Sequence, residues 1–207
     1  MSFDVENLSV IDLDKFKEIG NIGAGNAATS LSKLLNKRIN MNVPEVKLIN
    51  LENAVDIIGG AETLVAGVYV DFKGDIQGTI LYLLDSTSLS KLLELLMNKE
   101  TDTQISELND IEASAIIEVA NIMSGSYLMA LSSFTGLKAV HSVPNLSIDM
   151  AGAILSVPVI EYGAYGDKTL FIESQLTDGT EQINNYFFLI PGITTCPVLL
   201  KALEVGT

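Results

Sequence analysis

Two acid–amide pairs stand at one spacing in two places along the chain: Glu18 with Asn21, and Glu118 with Asn121. The offset between them is 100 residues and reaches further, with Asp14 answered by Ser114 and Pro44 by Pro144. At about 100° of helical turn per residue, Asp14, Glu18, Asn21 and Gly25 fall on one narrow stripe, as do Ser114, Glu118, Asn121 and Gly125. A carboxylate there can pair with a partner's lysine. A carboxamide both donates and accepts, so it can hold a water by two contacts, although it has no useful pKa for removing a proton. The glycine takes away a neighbouring side chain and lets another molecule approach.

A solvated helix face is the plain alternative, because Glu and Asn three residues apart are common on helices. Duplication weighs against it. A solvated face has no need to keep both types at one register in two halves, although symmetric packing could demand the glycines. On spacing alone both readings stand.

The elements that must carry these stripes recur in the same order. Asp12 to Lys37 reads as a long helix with Asp12 available as its cap, although three internal glycines weaken it. An extended segment from Val43 to Leu51 follows. Leu64–Phe72 and Ile76–Leu84 read as a hairpin around Lys73-Gly74-Asp75, and Ser86 or Ser88 can cap a helix reaching Met97. In the second half, Ser106–Phe134 reads as a helix stopped by Gly136, Pro144 opens an extended stretch, and Thr169–Leu176 and Ile183–Ile190 flank an Asp178-Gly179 turn. A last helix runs from Thr194 to Glu204. The departure from the repeat lies after Asn145, where Asp149–Leu155 reads as an extra amphipathic helix. The expected fold is α/β (α+β): one domain over 1–207, built from repeats of about 10–100 and 106–205. Their strands form one mostly antiparallel sheet under the long motif helices, about a pseudo-twofold axis.

Composition narrows the function classes. With 48% hydrophobic residues in 207, the chain can bury a sizeable core. A net charge of −14 repels phosphate backbones and anionic lipid, so nucleic acid and membrane surfaces are poor partners. Met1–Glu6 lacks the layout of a signal peptide and apolar runs are short, so no membrane span is expected. The single cysteine, Cys196, fits a cytoplasmic setting. One histidine, His141, and one cysteine give neither a zinc site nor a Cys/His couple its complement, and both read as packing residues. Leu89, Leu92, Leu93 and Leu96 read as core. Gly23-Ala24-Gly25-Asn26-Ala27-Ala28 looks like a dinucleotide fingerprint, but a strand must precede it and Phe16–Ile22 reads as helix.

The pattern Asp14-x3-Glu18-x2-Asn21-x22-Pro44, with its copy Ser114-x3-Glu118-x2-Asn121-x22-Pro144, resembles the signature of the CheC/CheX/FliY phosphatases of bacterial and archaeal chemotaxis. Two intact motifs point away from the CheX type, which keeps one. The resemblance implies a phosphatase for the response regulator CheY, phosphorylated on an aspartate, working as a monomer. It implies that Glu18 and Glu118 pair with the regulator's lysine and that Asn21 and Asn121 orient the attacking water. Asp14 and Ser114 become local supports, and Pro44 and Pro144 fix the chain's turn into an extended segment. It further implies Mg²⁺ on the regulator with no cofactor or metal of the chain's own. The receptor deamidase CheD is a second implied partner, docking at Asp149, Ala151, Gly152 and Ala153 after the second motif.

Overall fold

Ser9 opens the first helix, α1 (Val10–Leu35), by accepting from the Asp12 N–H at 3.2 Å. The Asp12 carboxylate accepts from the Ser9 N–H at 3.0 Å, so Asp12, expected as the cap, is the reciprocal partner of a capping box. The second motif helix repeats this device. Asn109 caps it and Glu112 reaches back to the Asn109 N–H, so the helix runs Asp110–Thr135 and closes at Gly136 in the left-handed region. Its expected start at Ser106 falls instead in a separate 3-10 turn, Ile105–Glu107. The computed structural model describes residues 8–50, 53–98, 105–162, 168–192 and 194–205. Met1–Glu6 and Leu51, read above from sequence, lie outside them.

Helix α1 stays continuous through its glycines, one of which packing requires. A Cβ on Gly23 would come 3.1 Å from the Tyr127 Cα of the second motif helix, whereas one on Gly20 would make ordinary contact with Val43 at 3.4 Å. The close approach of the helices offsets the low helix propensity of glycine.

Seven strands form one sheet in which every pairing is antiparallel: β1 (Asn40–Asn50), β2 (Leu64–Gly74), β3 (Gly78–Asp85), β4 (Ala139–His141), β5 (Asn145–Met150), β6 (Lys168–Thr177) and β7 (Gln182–Pro191). The order is β1-β6-β7-β3-β2, with β4 and β5 sharing the far edge of β2. Each half thus sets its edge strand against the other half's hairpin. The pseudo-twofold axis passes through the β3–β7 seam, where Tyr82 lies opposite Phe187 with ring centroids 4.9 Å apart.

The remaining helices are α2 (Ala54–Ile57), α3 (Ser86–Met97), α4 (the second motif helix), α5 (Ala151–Tyr162) and α6 (Thr195–Val205). Asp85, rather than Ser86 or Ser88, caps α3 by accepting from the Ser88 N–H at 2.7 Å. Leu89, Leu92 and Leu93 are buried as expected, and Leu96 is half-buried. The sheet carries a core on each face. Ile80, Tyr82 and Leu84 of β3 face α1, α3, α4 and α6, whereas Leu81 and Leu83 face α5. That two-sided burial explains why β3 reads as a continuous apolar run. Helix α4 is long and apolar enough to cross a membrane by length and composition, but 56% of its apolar window is buried in the fold.

The extra segment differs from expectation. Asp149 and Met150 belong to β5, paired with Val65 and Leu64, and the helix begins only at Ala151. Ala151, Ile154 and Leu155 enter the second core, and the Tyr69 hydroxyl donates to the Ile154 carbonyl at 2.7 Å. Burial, with the Asp149 carboxylate adding to it, pushes the Tyr69 phenol up to about 12.

Candidate functional site

The two stripes lie on α1 and α4, the helices that pack side by side over one face of the sheet. Glu18, Asn21 and Glu118 are exposed, and Asn121 is half-buried. Among the described residues neither carboxylate has an ion-pair partner. Each stripe therefore presents a free carboxylate one helical turn from a carboxamide.

The carboxamides differ. Asn21 Nδ2 donates to the Lys17 carbonyl at 3.0 Å, and its Oδ1 accepts from the Val43 N–H at 3.2 Å. Asn21 is thereby a strap between helix and sheet. The ladder between β1 and β6 shifts register between Asn42 and Glu45, a bulge that contains Pro44. Proline has no N–H to donate and holds the preceding residue extended, so Val43 turns its N–H away from the ladder and Asn21 receives it. The fixed gap between Asn21 and Pro44 thus has a physical cause. Sequence reasoning aimed Asn21 at a partner alone and missed this bond.

In the second half the strand breaks outright between β4 and β5. Ser142 donates its N–H to the Asp71 carbonyl at 2.7 Å and Val143 is exposed, while Pro144 is buried. Among the described residues the Asn121 carboxamide has no hydrogen-bond partner. Its donors and acceptors are open to another molecule. The supporting positions also differ, since Asp14 is exposed and the Ser114 hydroxyl folds back on the Asp110 carbonyl at 2.6 Å.

The stripe glycines separate in the same way. A Cβ at Gly25 would meet nothing within 4 Å, whereas one at Gly125 would lie 3.1 Å from His141 Nε2. Gly25 is free of any internal packing demand. His141, read from sequence as packing, sits half-buried on β4 beside the second stripe. The signal that could have placed it is the repeat itself, since the counterpart of His141 is Met41.

Of the four residues proposed for a docking face at α5, Asp149 and Ala153 are exposed. Ala151 is fully buried, and Gly152 is half-buried with its N–H on the Ala61 carbonyl at 2.9 Å. The accessible surface there includes Asp149, Ala153 and Ser156 with the exposed apolar Met150, Val157 and Ile160.

Comparison with known proteins locates the same helices. The model of the CheC-like family matches residues 16–48 and 111–148, which contain both Glu/Asn pairs and both proline breaks, with Asp14 just outside the first stretch. The CheY-P phosphatase CheC of Bacillus subtilis is 32% identical over 194 residues, covering 92% of this chain and 93% of that one. The flagellar motor switch phosphatase FliY of the same organism is 28% identical over 145 residues, covering 70% of this chain and 38% of its own. The crystal structure of Thermotoga maritima FliY shares the fold with a TM-score of 0.76, covering 97% of this chain and 99% of that one at 23% identity. With a relative this similar along almost its whole length, the chain belongs to the CheC-like family.

Proposed function

We propose that the chain is a protein phosphatase that hydrolyses the aspartyl phosphate of the response regulator CheY. In this reading Glu18 and Glu118 pair with the regulator's active-site lysine, and Asn21 and Asn121 enter that site to orient the attacking water. The second stripe supports it best, with an exposed carboxylate one turn from a carboxamide, neither of which has a partner among the described residues. In-line phosphoryl transfer to water needs positioning and charge neutralisation more than covalent chemistry. The name of the B. subtilis relative supports the same substrate. In this reading Mg²⁺ belongs to the regulator. Pro44 and Pro144 shape the strand breaks behind the stripes, and the chain acts as a cytoplasmic monomer.

Phosphate release from phosphorylated CheY, with the chain at a small fraction of the regulator's concentration, tests the proposal. Many turnovers per chain are expected. Stoichiometric binding without turnover would favour the second reading, a non-catalytic adaptor holding CheY-P or CheD. The observation behind that reading is the exposed apolar group on and beside α5, Met150, Val157 and Ile160, rimmed by Asp149.

Gly25→Ala separates fold from function. The new methyl meets nothing inside the chain, so the helix gains about 1 kcal/mol, or about 2–4 °C in Tm for a chain of this size. The same methyl stands where the regulator must approach, so turnover at the first stripe should fall. A thermal melt and a rate measured in the Asn121→Ala background check both halves of this expectation.

A further inference from the structure

His141 is the chain's one histidine, and the second stripe has it where the first has Met41. It lies opposite Phe72 in the β2–β4 pairing, and Phe72 belongs to the helix-covered core, so strand alternation turns His141 toward α4. Its Nδ1 is 3.1 Å from the Ser142 carbonyl. A carbonyl only accepts, so Nδ1 carries the proton and Nε2 of the neutral ring is left as an acceptor. That nitrogen sits 3.1 Å from where a side chain at Gly125 would begin, which places it on the stripe one turn beyond Asn121. The ring's direction is fixed from behind. Ser142 donates to the Asp71 carbonyl at 2.7 Å, and its hydroxyl accepts from the Asp71 N–H at 3.2 Å.

We propose that His141 is a further catalytic residue of the second site, its Nε2 accepting a hydrogen bond from the water that Asn121 orients. The inference rests on the phosphatase reading above. Neighbouring stripe positions four apart are about 5–6 Å from one another, a span that one water bridges. As the water oxygen bonds to phosphorus, the phosphorus–oxygen bond to the aspartyl group breaks and its electron pair leaves on the carboxylate. The proton shed by the water leaves through a phosphate oxygen to solvent, while Nε2 keeps the water's hydrogen bond and so its direction. The first site lacks this contact because Met41 offers no comparable acceptor.

The test uses the full chain with one stripe disabled at a time, rates being taken above the regulator's own hydrolysis. In the Asn21→Ala background, which reports the second stripe, adding His141→Met should lower kcat about tenfold, one hydrogen bond's worth, with KM unchanged. In the same background His141→Gln, whose amide oxygen can accept the same hydrogen bond, should restore much of the rate. In the Asn121→Ala background the Met and Gln substitutions should not differ in kcat. Unchanged kcat in a folded His141→Met variant of the Asn21→Ala background, or the same loss in both backgrounds, overturns the role of His141 alone. Absence of turnover by the unsubstituted chain overturns the phosphatase reading and this inference with it.

Discussion

Replacing both carboxamides, Asn21→Ala together with Asn121→Ala, is expected to reduce CheY-P hydrolysis to the regulator's own rate while binding persists. Loss of a water-orienting amide should cost on the order of 10²-fold at its own site, about 2.7 kcal/mol, as for loss of one transition-state donor. The single variants should differ in kind. Asn21 already spends its oxygen on the Val43 N–H, so Asn21→Ala orphans a backbone donor and destabilises the fold by about 1–3 kcal/mol. Asn121 has no partner among the described residues, so Asn121→Ala should leave Tm almost unchanged and take the larger share of turnover. Thermal melts and initial rates on the three variants check this. Undiminished turnover in a folded double variant removes the enzymatic reading.

Reversing the carboxylates, Glu18→Lys with Glu118→Lys, should weaken association with CheY-P by about 3 kcal/mol, more than a hundredfold in Kd. The magnitude follows from replacing attraction to the regulator's lysine with repulsion. Both carboxylates are exposed and unpaired among the described residues, so neither substitution breaks an internal contact and the fold should hold. Titration of phosphorylated CheY against the double variant gives the affinity. An unchanged Kd would show that these carboxylates do not meet the partner.

The strands were legible because each carries its signal locally. The hairpins around Gly74 and Gly179 fall within a few residues of the expected places, and turn glycines with β-branched runs suffice to find them. The helix caps were harder. A capping box works reciprocally, so Asp12 looks like a cap in isolation although Ser9 begins the helix. The local pattern of Asp149 to Leu155 reads as one helix, yet Asp149 and Met150 complete the edge of β2 before the helix starts. That choice belongs to strand pairing across more than 80 positions in the sequence, which periodicity within a short window does not see.

At the site, the shared helical register of the Glu/Asn pairs followed from a helical wheel, but the half-burial of Asn121 and the inequivalence of the two halves did not. It arises where the edge strand bulges at Pro44 and breaks at Pro144, and those geometries decide whether an asparagine is tied to the backbone or left open. His141 was passed over for the same reason. Its place against Gly125 depends on a sheet edge brought to α4 by the other half's hairpin.

The most direct measurement is a structure of the chain with CheY held by a phosphate mimic on its aspartate. The account predicts the Asn121 carboxamide at the mimic, in line with the bond to the aspartyl oxygen, and Glu118 against the regulator's lysine, with Gly125 beneath the contact. A regulator seated away from both stripes, for instance on α5 with Asn21 and Asn121 left facing solvent, would contradict it.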